Sequence, residues 1–206
     1  MAAKLTLSQA CEGMIQYKVA TGKSKYTIAD YRSSFKKLFI FFPEDMLFGD
    51  ISRKKLIAFF SWLQDGYKTE PDGVAPRGQF KLSPKSILNI HINISSLWTW
   101  AVDEGFVDEN IVRKISPPPV EAPVIETFTK DDIALLLKSC ERSRTWKNKS
   151  SISNSRPTAD RDRAIVALLL DTGIRASELC NIRFGDINIK TKRIHIFGKG
   201  GGHDKK

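Results

Sequence analysis

Apolar residues recur with a helical period over the first hundred positions. Between Leu5 and Ala20 they fall at Leu7, Cys11, Met14 and Ile15, with Lys18 following on the same side, and Gly22 ends the run. Ser24 offers an N-cap to a stronger helix in which Tyr31, Phe35, Leu38, Phe39 and Phe42 share a face, and Pro43 stops it. Ser52 caps a third helix, through Trp62 and Leu63, that turns Leu56, Phe59, Phe60 and Leu63 inward. The stretch from Asp65 to Leu82, rich in Gly, Pro, Lys and Asp, reads as a loop. Ser83 and Pro84 then form the cap and first position of a fourth helix, to about Glu104, with Ile87, Ile90, Ile94, Leu97, Trp98 and Ala101 on its apolar side and Gly105 at its end. His91 lies near that side and reads as a packed or rim histidine, because no second His, Cys or carboxylate stands at metal-ligand spacing from it. Four helices of this length enclose a core of their own, so a first domain is expected over residues 1–115.

Ser116–Pro123, SPPPVEAP, cannot continue a helix and favours an extended spacer, which places a linker at 116–126. The pattern from 127 to 206 is thinner. Thr129 caps a short helix with Asp131 and Asp132 in its first turn, where the helix dipole favours acids. A polar, unpatterned segment follows, and then a helix from Asp160 or Asp162 whose AIVALLL is apolar nearly all round, so deep burial is expected. Thr172 and Gly173 turn the chain, and a second short helix begins after Arg175 with Leu179 and Ile182 inward. Ile187 and Ile189 lead to a strand over Arg193–Phe197 carrying Ile194, Ile196 and Phe197, and Gly198–Gly202 reads as a hairpin tip. Three helices and a sheet without its return strand make a marginal core, so this domain is expected to be unfinished.

Charge changes the picture. Of 206 residues 27% are charged, and Lys plus Arg exceed Asp plus Glu by 33 to 23, for a net charge of +10 and a pI near 9.6. Such a surplus favours a polyanionic partner, with nucleic acid ahead of an acidic membrane surface. Cationic candidates lie beside the apolar stripes: Lys25, Arg32 and Lys36 on the second helix, Arg53, Lys54 and Lys55 in the first turn of the third, Lys85 in that of the fourth, and Arg142, Arg144 and Lys147 in the polar segment. A charged face opposite an apolar one is what any amphipathic helix shows, and a DNA-facing stripe is the functional alternative. Cations at the start of the third helix oppose its dipole, at a cost of about 0.3–1 kcal/mol each unless an anion is near. Cys11, Cys140 and Cys180 are far apart and without CxxC spacing, as expected of small buried residues in a reducing compartment. The start has no leader-like apolar core, and no run approaches the roughly 18 residues needed to span a bilayer, so a cytoplasmic protein with no membrane partner is expected.

The chemistry concentrates in Asp171–Lys199. An arginine at a helix start is an effective phosphate ligand, because its planar fork donates two parallel hydrogen bonds. Arg175 stands at such a place. Glu178 either holds that guanidinium or caps the turn. Lys199, between glycines, approaches closely and on its flexible stem suits a phosphate ligand or proton donor, although Gly-Lys-Gly alone is also an ordinary turn. Taken together, TGIRASEL, an INI strand and HIFGKGG, with 24 positions from Arg175 to Lys199, resemble the tyrosine recombinase (phage integrase) family, and the resemblance extends over the whole chain.

The resemblance implies a mainly α fold: a four-helix SAM-like core-binding domain followed by an incomplete α+β catalytic domain with a small antiparallel sheet. It implies that Arg175 binds the scissile phosphate, Glu178 supports the site and Lys199 acts as general acid toward the leaving 5′ hydroxyl. A tyrosine then attacks phosphorus to give a 3′-phosphotyrosine, with no metal or cofactor, while the two domains clamp double-stranded DNA. The family's later motifs, a His-x-x-Arg box, a further His or Trp and the nucleophilic tyrosine, have no counterpart before Lys206. Gly202, His203 and Asp204 stand where relatives usually place another Lys and an Arg. Tyr17, Tyr26, Tyr31 and Tyr67 all belong to the first domain. The expectation is DNA binding without cleavage, by an integrase fragment or naturally shortened integrase. A non-catalytic regulator of recombination or transcription and a helical protein-interaction domain are the alternatives. The chain is expected to be monomeric in solution, with self-association on DNA or pairing with a full-length recombinase.

Overall fold

The computed structural model describes residues 5–67, 81–122, 124–142 and 155–198, and the backbone of 201–205. The chain divides into two compact units, Met1–Pro123 and Val124–Lys206. It is mainly helical with one small antiparallel sheet.

The first unit contains α1 (Leu7–Ala20), α2 (Lys25–Phe41), α3 (Arg53–Asp65) and α4 (Pro84–Asp103), with single 3-10 turns at Phe48–Asp50 and Ile111–Lys114. Each helix begins where a hydroxyl can accept an orphan amide: Thr6, Ser24, Ser52 and Ser83 accept from the N–H groups of Gln9, Thr27, Lys55 and Ser86. Thr6 escapes a reading based on apolar period alone, yet its reciprocal bond with Gln9 starts α1 at Leu7. Gly22 and Gly105, both at φ +73°, let the chain leave α1 and α4.

Helix α4 is the hub, packing on α1, α2 and α3. The six apolar positions expected of it are buried, and so are His91, Asn93 and Trp100, because three neighbours cover more than one face. Trp100 presses on α1 at Gly13, where an added Cβ would lie 2.8 Å from the indole. Phe48 and Trp98 are in ring contact, centroids 4.5 Å apart, beneath the first 3-10 turn. Three buried polar residues, Ser34, His91 and Asn93, complete this core. Asn93 donates to the Asp30 carboxylate (3.0 Å) and the Ser34 hydroxyl (2.9 Å), joining α4 to α2. His91 packs on Phe60, and its Nε2 lies 2.8 Å from the carbonyl of Ile115.

The second unit contains α5 (Lys130–Ser139), α6 (Ala159–Thr172), α7 (Ala176–Cys180), a 3-10 turn at Phe184–Asp186, and strands β1 (Ile187–Asn188), β2 (Arg193–Gly198) and β3 (Gly201–Lys205) in the order β1-β2-β3. Three expectations fail here. Helix α6 buries none of its residues, and Leu170 is 39% exposed, because an all-apolar helix is deep only where elements surround it and α6 meets chiefly α5 and α7. The return strand is present: β3 pairs with β2 from Gly198↔Gly201 to Ile194↔Lys205. Its glycine-rich sequence lacks apolar alternation, but backbone ladder bonds need no apolar side chain. Cys180 is exposed, whereas Cys11 and Cys140 are buried. Among described apolar residues of this unit only Cys140, Ile174 and Ile196 are buried, while Val124, Ile125, Phe128, Leu135, Phe184, Ile189 and Phe197 stand largely in solvent.

Candidate functional site

The turn from α6 into α7 is built residue by residue. The Thr172 hydroxyl donates to the carbonyl of Leu168 (2.6 Å), and Gly173, at φ +62°, takes the left-handed conformation that ends α6. Ile174 then plugs into the interior, and Arg175 follows in extended conformation as the residue before α7. A buried residue on either side, Ile174 and Glu178, anchors this short stretch.

The Glu178 carboxylate makes two bonds back to Arg175, accepting from its backbone N–H (2.9 Å) and from Nη1 of its guanidinium (2.8 Å). Capping and holding the arginine are therefore one arrangement, not alternatives. The backbone amide of Arg175 is committed to Glu178, so what faces outward is the guanidinium. Its side chain is 77% exposed while that of Glu178 is 8% exposed. A buried carboxylate needs such partners to offset its lost hydration. With five N–H donors and one engaged, the guanidinium keeps a free edge for an anion. Lys199 lies outside the described residues, so the two cations are joined here by the chain only: α7 packs on β2, which ends at Gly198 next to Lys199.

The other cationic candidates are dispersed. Lys25, Arg32, Lys36, Lys54, Lys85 and Arg142 are all exposed. Arg53 and Lys55, also exposed, have work inside unit 1: Arg53 donates to the carbonyl of Lys114 (3.1 Å) and Lys55 to that of Asp50 (3.1 Å). This accounts for cations at a helix start without an external anion. Lys37, beside Lys36, turns inward over the Tyr67 ring, and partial burial holds its ammonium below the usual lysine range. Arg144 and Lys147 fall outside the described residues. The stem of that segment is closed by an Arg142↔Ser155 bridge, an Arg163–Glu141 pair (3.4 Å) and an Arg156–Asp162 pair (2.9 Å). Bonds from Arg161 and Thr158 hold the Asp162 carboxyl below its ordinary range. The basic tract thus carries its own acids, a signal present in Glu141 and Asp162. One cationic group was missed: Lys192, on the turn before β2, and Arg193, the first residue of β2, line an open hollow of about 630 Å³ with Asp171 and Thr191. Among the described residues no cluster of metal-ligating side chains occurs, and no helix is long and apolar enough to cross a membrane.

Residues 7–116 match the sequence model of the phage integrase SAM-like domain, and residues 126–205 that of the phage integrase family. The chain belongs to the phage integrase, or tyrosine recombinase, family. It is 24% identical over 206 residues to the tyrosine recombinase XerA of Pyrococcus furiosus, a match covering all of this chain and 58% of that protein. It is 30% identical over 142 residues to XerC of Thermodesulfovibrio yellowstonii, covering 65% of this chain and 43% of the relative. The phage integrase fold recurs in a crystal structure of a lambda integrase dimer bound to a COC′ core site, with a TM-score of 0.68 at 18% identity over 98% of this chain and 48% of that one. The integrase of transposon Tn1549, in complex with a circular intermediate DNA, gives 0.66 at 13% identity over 97% and 57%. The chain spans about half the length of the relatives it matches.

Proposed function

We propose that this chain is the DNA-binding and phosphate-holding part of a tyrosine recombinase acting in site-specific integration and recombination, and that by itself it binds duplex DNA without joining to it covalently. The observation that carries the reading is the Arg175–Glu178 pair, an exposed guanidinium aimed by a buried carboxylate. In this reading Arg175 takes the scissile phosphate, Glu178 holds the fork, and Lys199 protonates the leaving 5′ hydroxyl. Residues 1–115 are the core-binding domain, 116–126 the linker and 127–206 part of the catalytic domain. Lys25, Arg32, Lys36, Lys54, Lys85, Arg142, Arg144 and Lys147 contact backbone phosphates, with Arg53 and Lys55 dividing their donors between DNA and their own carbonyls. Support comes from the net charge of +10 and from fold relatives solved on DNA, a lambda integrase dimer bound to a COC′ core site and a lambda integrase tetramer bound to a Holliday junction. The soluble chain is taken as cytoplasmic and monomeric when dilute.

What supports the absence of covalent joining by this chain alone is the placement of its tyrosines. All four lie in unit 1, and Tyr31 is tied to Ser96 of the helical core (3.3 Å). None is in the unit that carries Arg175.

Duplex binding titrated at two salt concentrations tests the first half of this proposal. Affinity should fall steeply with salt, and Arg175→Ala should cost roughly tenfold and lower the salt slope by about 1. No binding at low salt would leave only the protein-interaction alternative. A denaturing gel after incubation with duplex tests the second half, since a covalent protein–DNA band would overturn it.

A further inference from the structure

Alternation along β2 puts Arg193, His195 and Phe197 on the face opposite Ile194 and the buried Ile196. Phe197 is 63% exposed on that outer face. Its ring does not stand alone. The His195 imidazole lies beside it, with ring centroids 4.8 Å apart and planes at 76°. Such an edge-to-face pair uses at most one face of each ring, and the rest of the aromatic surface is open to a stacking partner.

The charges around these rings indicate the partner. Lys190 and Lys192 lie exposed on the turn from β1 into β2. The Asn188 side-chain oxygen accepts from the Thr191 N–H (3.0 Å), and Lys192 takes the left-handed conformation at φ +53°, so the turn has a set shape. Lys192 and Arg193 line the open hollow that Asp171 shares. At the other end of β2, Lys199 follows Gly198 in the chain. Strand β3 brings Lys205 into register with Ile194 and Asp204 into register with His195. Cations therefore stand toward both ends of β2, and the single acid of residues 193–205 stands at mid-strand. Arg193 and Phe197 are about 13 Å apart along the strand. Sheets that bind a nucleic-acid strand combine these same parts, with phosphates on cations and bases on aromatic faces. A paired duplex cannot use the rings, because its base faces are stacked on one another. An unpaired strand can.

We propose that the outer face of this sheet is a platform for an unpaired DNA strand, with bases stacking on Phe197 and His195 and flanking phosphates at Arg193 and Lys192. The inference rests on the reading of this chain as the DNA-binding part of a recombinase. It gives that reaction a place for bases that lose their pairing while strands are exchanged. The platform lies wholly within unit 2 and uses none of the residues assigned above to duplex phosphates or to the scissile phosphate.

The test uses three fluorescein-labelled DNAs, each titrated by anisotropy with the whole chain at low salt: a single-stranded oligothymidylate, a perfect duplex, and the same duplex with a central bubble of mismatched bases. Phe197→Ala should weaken binding of the single strand and of the bubble at least about fivefold, the effect of losing one stacked base, and change binding of the perfect duplex less than about twofold. Phe197→Trp, which keeps a stacking ring, should restore the single strand. Arg193→Ala should lower the salt slope for the single strand by about 0.7. Both side chains are exposed, so an unchanged circular dichroism spectrum verifies each variant's fold. Duplex binding without single-strand or bubble binding, or with single-strand binding indifferent to Phe197→Ala, would overturn this inference and spare the proposed function. Equal losses on all three DNAs, or failure of tryptophan to restore the single strand, would also overturn it. Binding to none of the three would remove both.

Discussion

The two units use similar local signals and reach different states of burial. In unit 1 the apolar stripe of every helix finds a partner, and 22 buried residues form one cluster centred on α4. In unit 2 the elements form equally well: Thr129 and Asp132 make a reciprocal cap, Gly173 ends α6, and β2 pairs on both sides. Yet α5 and α6 bury no residue. The difference teaches that local sequence makes an element while neighbours make a core. Unit 1 surrounds its central helix on three sides, and among the described residues no helix of unit 2 is enclosed in that way.

The largest expected effect sharpens this contrast. Leu97→Ala, at a fully buried site on α4, should destabilise unit 1 by about 3 kcal/mol, whereas Leu170→Ala on half-open α6 should cost below about 1 kcal/mol. Urea unfolding followed by far-ultraviolet circular dichroism and by tryptophan fluorescence, to which unit 1 contributes Trp62, Trp98 and Trp100 and unit 2 Trp146, would compare them, and equal costs would erase the distinction. Next in size is Asn93→Ala, which strips the Asp30 and Ser34 side chains of their shared donor. It should cost about 1–2 kcal/mol in the same assay, and a neutral result would mean that the polar link between α2 and α4 adds nothing to packing.

A pH titration reads unit 2. Bonds from the Thr129 hydroxyl and amide depress the Asp132 carboxyl, and those from Arg161 and Thr158 depress Asp162. A depressed folded-state value means stabilisation present above the ordinary carboxylate range and lost as pH falls through the lowered values. Helicity of α5 and α6 should therefore weaken toward acid. Asp132→Asn should remove part of that dependence, and an unchanged acid profile in circular dichroism would contradict it. The smallest effect is the control: Lys81→Ala breaks an ion pair with Asp65 whose partners are 70% and 77% exposed, and should shift stability by less than about 0.5 kcal/mol.

Much of unit 1 was readable because period, cap and stop agree at each helix. Ser24 with Pro43, Ser52, and Ser83-Pro84 with Gly105 mark boundaries close to those observed, and the stripes named on α2, α3 and α4 turn inward, with Tyr31 and Phe39 half-buried. At the candidate site the local part was readable, since a Glu three positions after Arg175 reaches back within one turn. That Arg53 and Lys55 serve carbonyls was not. Arg53 reaches Lys114, 61 positions away, and no local pattern encodes such a pair.

By itself the sequence determined where helices begin and end to within a residue or two, which stripe of each unit 1 helix turns inward, the basic balance, and that Glu178 stands within reach of Arg175, because each depends on hydrogen bonds or periodicity within a turn or two. Only the tertiary structure decided that α4 is enclosed while α6 lies open, that residues 201–205 close the sheet, and that Arg53 and Lys55 serve carbonyls of their own unit. Burial and charge environment are set by what lies across from a residue, and that neighbour is supplied by distant parts of the chain.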